Sequence, residues 1–185
     1  MSAPSWWMQP QRPSARLGLK GADAARLLLD CGIAIPDSPN AVTHGDGASL
    51  AGLSRCLRLG HSEFLLEEDQ HAGAIESIRT QAGAAAMRAW CVLRTDYSAL
   101  IGGAAVFDQL SRIASFDFRQ LLHAPERVVM TLVADISMTL VMEDAIASAP
   151  RLRLWADASF GTYLEQTLHS LSTIPPTASS HGEPA

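Results

Sequence analysis

Twice along the chain a short apolar segment runs into glycine and then into a stretch that opens on small residues and carries apolar side chains at helical spacing. The first is ARLGLKG followed by ADAARLLLDC, and the second is YSALIGG followed by AAVFDQLSRIA. A strand, a glycine turn and a helix in the same order suggest a weak internal duplication. The pattern constrains the fold strongly, because each strand needs sheet partners and each helix needs a sheet face to cover.

The segments between and after these units continue the pattern. Gly32 and IPDSPN should end the first helix. CLRL and EFLL, separated by GHS, read as a hairpin with its glycine at positive φ. HAGAIESIRTQAG places Ala74, Ile75, Ile78 and Ala82 on one helical face, and MRAWCVLRTD reads as a core strand holding Cys91. RVVMTLVAD, ISMTLVMED and the alternating RLRLWAD are β-rich. Ser159 is placed to cap a last helix whose Phe160, Tyr163, Leu164, Thr167, Leu168 and Leu171 form an apolar stripe. The fold class expected is α+β, with helices packed on a mostly antiparallel sheet.

Three regions follow: an extended arm over 1–14, a single folded domain over 15–171, and a flexible tail over 172–185 rich in Pro, Ser and Gly. A chain of 185 residues with 48% apolar and 18% charged residues has material for one sizeable core. Its formal charge of −5 is dispersed, with neither an acidic run nor a basic patch. That argues against nucleic acid and an anionic membrane surface as partners. The longest apolar run, 128–142, contains Asp135 and is too short to cross ~30 Å of hydrocarbon. No secretory or transit pattern is read at the start, and Cys31, Cys56 and Cys91 are odd in number and set among apolar neighbours. Buried thiols in the cytoplasm are therefore expected.

The sequence carries few reactive constellations. GDGASLAG places glycines at 45, 47 and 52 and lacks both the third glycine of a dinucleotide fingerprint and the Lys-Ser/Thr of a phosphate loop, so it reads as a loop. His44, His61, His71, His123, His169 and His181 form no i, i+4 pair and none lies near a cysteine at finger spacing. There is no G-x-S-x-G elbow. Glu67-Glu68-Asp69 and Glu143-Asp144 close strands, where carboxylates are expected to face water, and Asp96 and Asp117 suit turns or caps. No catalytic, cofactor-binding or metal-ligating residue is assigned.

The arm carries Trp6, Trp7 and Met8 in a proline-punctuated stretch without helix or strand period. Side chains of this size gain from burial only when something covers them. Either they fold back over a groove of the body or they anchor on another polypeptide. The second is favoured, since aromatic anchors are enriched in interface cores.

Five segments in order, LKGADAARLLLDCGIAIPDSPN, RLGHSEFLLEED, DYSALIGG with FDFRQLL after it, MTLVADISMTLV and ADASFGTYLEQTL, resemble the gamma subunit of heterotetrameric sarcosine oxidase and of related N-methyl amino-acid dehydrogenases and demethylases. The chain departs from the family at His61 and Ser62, where proline and an acidic residue are common. The resemblance implies a body similar to the folate-binding half of the glycine-cleavage aminomethyltransferase. It implies a noncatalytic gamma-type subunit of an oxidoreductase acting on CH-NH donors, which demethylates sarcosine or another N-methyl amino acid and passes the one-carbon unit to tetrahydrofolate.

Partners would be alpha, beta and delta subunits, chiefly the large alpha subunit. FAD, FMN, NAD, tetrahydrofolate and zinc would sit on those subunits, and this chain would bind no cofactor alone. The rival readings are a free-standing folate-dependent aminomethyltransferase-like enzyme or folate-binding protein, and a general scaffold protein.

Overall fold

Alternation along the strands and helical spacing between them produce a four-layer sandwich, seen in a computed structural model that describes residues 6–11, 14–45, 50–68, 73–84, 87–146 and 148–173. The strands are β1 (Trp7–Pro10), β2 (Arg16–Lys20), β3 (Ala41–His44), β4 (Leu53–Arg58), β5 (Glu63–Glu68), β6 (Trp90–Arg94), β7 (Tyr97–Gly102), β8 (Val129–Val133), β9 (Ile136–Asp144) and β10 (Arg151–Ala156). The helices are α1 (Ala24–Asp30), α2 (Ala74–Ala84), α3 (Val106–Leu110) and α4 (Gly161–Thr173). Two antiparallel five-stranded sheets result, one in the order β3-β4-β5-β2-β6 and one in the order β1-β7-β10-β9-β8. The α+β class holds, with two sheets rather than one.

Each sheet buries its outer face under helices. Leu17, Leu19, Phe64 and Leu66 meet Leu27 and Leu28 of α1 and Ile75 and Ile78 of α2. Ile101, Leu140, Leu152 and Leu154 meet Val106 and Leu110 of α3 and Leu164, Leu168 and Leu171 of α4. A third, smaller cluster lies between the sheets: Val42, Leu57 and Leu65 from one, Val128, Val141 and Trp155 from the other. At one side the sheets are laced together, as Val42 N donates to Glu126 O at 2.7 Å and Val128 N to Asn40 O at 2.8 Å.

The duplication is visible in the topology. β2 runs through Gly21 into α1, and β7 runs through Gly103 into α3, with φ of 143° and 112° at the two glycines. A side chain at Gly21 is excluded twice over, by that φ and by the Arg88 carbonyl oxygen, 2.0 Å from where a Cβ would stand. Each unit continues into a hairpin, β4-β5 or β8-β9. The second hairpin turns on Ala134 and Asp135, both at positive φ, as a two-residue turn matched to strand twist demands.

Several local expectations are corrected. Residues 7–10 are not a free arm: they pair in register with β7 from Trp7↔Gly102 to Pro10↔Ala99. Beside β7, β1 takes the place that β6 takes beside β2. Gly60 does not adopt positive φ. The β4-β5 turn closes instead with Leu59 N and Gly60 N donating to Glu63 O at 2.8 and 3.2 Å.

Ser159 does not cap α4. Asp157 accepts from Ser159 N at 2.8 Å, and a 3-10 turn over Ala158–Phe160 precedes the helix. That turn breaks the expected stripe, so Leu164, Leu168 and Leu171 are buried while Phe160 and Tyr163 are exposed. β6 is an edge strand of exposed apolar residues rather than a core strand. The tail from 174 onward, residues 1–5 of the arm, Gly47, Asp69, His71 and His181 lie outside the described residues.

Candidate functional site

The gap between the sheets gathers Arg16, Arg55 and Glu67, three of the four buried charged residues among those described. Strand alternation sends Leu17 and Leu19 of β2 to the helix side and leaves Arg16 on the opposite face, where it is fully buried. Its guanidinium donates to the Asp96 carbonyl oxygen and pairs with the Asp96 carboxylate, Nη1 to Oδ2 at 3.3 Å. Burial pulls the Arg16 pKa down, and Asp96 and Glu67 oppose that pull. On β4 and β5, Arg55 Nη1 donates to Glu67 Oε2 at 2.6 Å, while Arg55 Nη2 reaches across to Glu143 Oε1 on β9. Arg153 Nη2 on β10 lies 3.9 Å from the same Glu143 oxygen.

Glu67 is thus buried rather than turned to water, and so is Glu68. Burial raises the Glu67 pKa, but Arg55, the Ser14 hydroxyl that donates to it, and Arg153 outweigh burial and hold it below the ordinary value. Glu68 points the other way and accepts from Ala74 N at 2.8 Å and Ile75 N at 3.4 Å, placing negative charge on the first turn of α2. These carboxylates are committed to structure. Glu67, locked against the Arg55 guanidinium, is a poor general base, since its proton affinity is suppressed.

Beyond the ionic layer the gap opens into a cavity of about 570 Å³. Trp90 and Val92 of β6, Phe64 and Leu65 of β5, and Met138 and Trp155 of the opposite sheet line it, with Lys20, Glu63, Arg94, Asp96 and Asp157 as charged members. The Trp155 indole N–H has no hydrogen-bond partner among the described residues. A cavity of this size with a mainly apolar wall and a few charges is suited to one flat organic molecule or to a partner's side chains.

The residues singled out from sequence fall elsewhere. Trp6 is buried in the core under α4, and its indole N–H donates to Leu168 O at 3.3 Å. The cover expected from another chain therefore comes from this one. Met8 packs half-buried against the same core, and Trp7, on the other face of β1, lies half-buried against Gly102. The three do not converge on one surface, because residues adjacent on a strand point to opposite faces.

His44, His61, His123 and His169 are exposed, and no group of three His, Cys, Asp or Glu side chains able to hold a metal occurs among the described residues. Asp117 caps a 3-10 turn by accepting from Arg119 N at 3.1 Å. The ionic layer escaped sequence reading. Its signal was arginine set within otherwise apolar strands, Arg16 in ARLGLK, Arg55 in SRCLR and Arg153 in RLRLW, with glutamates near the ends of β5 and β9.

Two helix-covered antiparallel sheets, each holding one strand-glycine-helix unit, make an α+β fold shared with an aminomethyltransferase. The glycine cleavage system aminomethyltransferase T from Bartonella henselae superposes with a TM-score of 0.65 at 11% identity, over 89% of this chain and 45% of that one. The chain thus spans about half the length of that enzyme. A chain of heterotetrameric sarcosine oxidase from Corynebacterium sp. U-96, solved in complex with pyrrole 2-carboxylate, superposes with a TM-score of 0.72 at 18% identity, over 95% of this chain and 90% of that one. No protein-family model matches the sequence, and no curated protein matches it. Among the described residues no helix is long and apolar enough to cross a membrane.

Proposed function

We propose that this chain is a noncatalytic, gamma-type subunit of a cytoplasmic heterotetrameric flavoenzyme that oxidatively demethylates sarcosine or another N-methyl amino acid, with one-carbon transfer to tetrahydrofolate. The observation that carries the reading is reciprocal coverage: the chain and one chain of a heterotetrameric sarcosine oxidase account for 95% and 90% of each other, so they are of comparable length as well as fold. The carboxylates spent on ion pairs, buried Glu67 and half-buried Glu143 with Arg55, fit a subunit whose work is packing.

In this reading the partners are alpha, beta and delta subunits, chiefly the large alpha subunit, which the gamma-type chain stabilises. FAD, FMN, NAD, tetrahydrofolate and zinc belong to those subunits. Of the arm residues, Trp7 and Met8 retain exposure for a partner contact, whereas Trp6 serves the chain's own core. Coexpression with the neighbouring genes, followed by native mass and visible absorbance, tests the proposal. A flavin-containing complex holding this chain is expected, and a chain that purifies alone beside a complete flavoenzyme would refute it.

A second reading, a free-standing folate-dependent enzyme or folate-binding protein, draws on the cavity between Trp90 and Trp155 with Arg94 and Lys20 beside it. Equilibrium dialysis of the isolated chain against tetrahydrofolate separates the two. Saturable binding by the solitary chain favours the second reading.

A further inference from the structure

We infer that β6 is a docking edge that pairs with an extended strand of another chain of the assembly, apolar at its centre and acidic toward both ends. The inference rests on the subunit reading above and adds the place and the chemistry of the contact.

An edge strand leaves a row of backbone donors and acceptors open, and proteins normally blunt such edges with proline, lysine, bulges or cover. Two of the other three edges here are treated so, while among the described residues β8, which reads VMTLV with Met130 and Leu132 exposed, is open as well but runs into the Ala134–Asp135 turn rather than ending on an arginine. β1 ends in Pro10, and β3 is bridged to the stretch leading into β8 through Ala41 and Arg127. Among the described residues β6 pairs with β2 alone, in unbroken register from Trp90↔Lys20 to Arg94↔Arg16, and no other described strand lies along its outer side.

It reads WCVLR, with no proline or lysine, and Trp90, Val92 and Leu93 are 64%, 59% and 55% exposed. Trp90 and Val92 also line the cavity between the sheets, so an added strand would extend the sheet and wall in that cavity.

Charge at the two ends selects the occupant. The Arg88 and Arg94 side chains are 74% and 50% exposed, while their carboxylate partners Asp23 and Asp96 are 27% and 11% exposed. Asp23 follows β2, and Asp96 also binds Arg16 of β2, so both carboxylates belong to the inner side of the strand. The outermost charges of the edge are guanidiniums at its two ends, Arg94 closing the strand and Arg88 two residues before its start. A strand carrying a carboxylate toward each end complements them.

Hydrogen–deuterium exchange on the full coexpressed assembly tests the inference, read at residues 90–94 and compared with the free chain. Protection of β6 in the assembly is expected. Val92→Lys, its own fold checked by circular dichroism, should weaken assembly by at least about tenfold. An intact flavoprotein complex in which β6 exchanges as fast as in the free chain overturns the docking edge and leaves the subunit reading standing.

If no flavoprotein complex forms, the subunit reading fails, and a blocked heptapeptide with glutamate at both ends and alternating valine and threonine between them still tests the edge. It should protect β6 and bind at least about tenfold more tightly than its lysine-ended counterpart. Absence of protection overturns the inference. Protection that appears only with self-association in sedimentation overturns the proposed occupant in favour of a second copy.

Discussion

Trp7 and Gly102 are register partners on β1 and β7, and the indole lies so close to the glycine that a Cβ there would stand 2.6 Å from its Cζ2. The backbone of β7 is bare at this point because an aromatic ring occupies the space. Gly102→Ala should therefore push Trp7 aside and loosen β1, at about 1–3 kcal/mol of stability. Urea denaturation reads the loss, and faster amide exchange at residues 7–10 locates it.

Trp6 makes an opposite kind of prediction from a surface anchor. It is buried under α4 with its N–H on Leu168 O, so Trp6→Ala should destabilise the isolated chain by about 3–5 kcal/mol. A Trp6→Ala chain that melts like the wild type by calorimetry would contradict the placement of β1.

The Arg55, Glu67 and Glu143 cluster joins the two sheets, and its members are worth more together than apart. Arg55→Met leaves the buried Glu67 and the half-buried Glu143 without their shared cation and should cost about 3 kcal/mol. Adding Glu67→Leu and Glu143→Leu removes the orphaned charges and should restore most of that loss, as denaturation midpoints of the single and triple variants will show.

Acid should loosen the same layer. The folded-state pKa of Glu67 lies below its ordinary value of 4.5. Its contribution to stability is fully present above that value and is lost as pH falls through the folded value. Denaturation midpoints measured from pH 6 downward should hold and then drop below about 4.5, and Glu67→Gln should flatten that part of the curve.

Thiol reactivity should follow burial. Burial pushes the Cys56 thiol up to about 12 and raises Cys31 and Cys91 as well, though both remain half-buried. With iodoacetamide at mildly alkaline pH, Cys31 and Cys91 should be alkylated while Cys56 stays unmodified until the chain unfolds, since only the thiolate attacks. Mass spectrometry of peptides resolves the three sites.

Local pattern sufficed wherever one residue's neighbours in sequence set its conformation. The turns at Gly21 and Gly103, the hairpin flanking Leu59–Ser62, the β character of the segments on either side of Ala134–Asp135, and the buried faces of α1 and α2 were legible because dihedral preference and apolar period are short-range properties. The number of sheets, the seating of Trp6, the burial of Glu67 and the exposure of Trp90 were not. Each depends on which strand lies beside or across from which. A tryptophan preceding a four-residue strand is anchor or core according to whether β7 offers an edge and α4 a cover, and a glutamate at a strand end faces water or Arg55 according to the sheet opposite. Those partners are up to 162 residues apart in the chain, as with Trp6 and Leu168, and only the assembled tertiary structure brings them together.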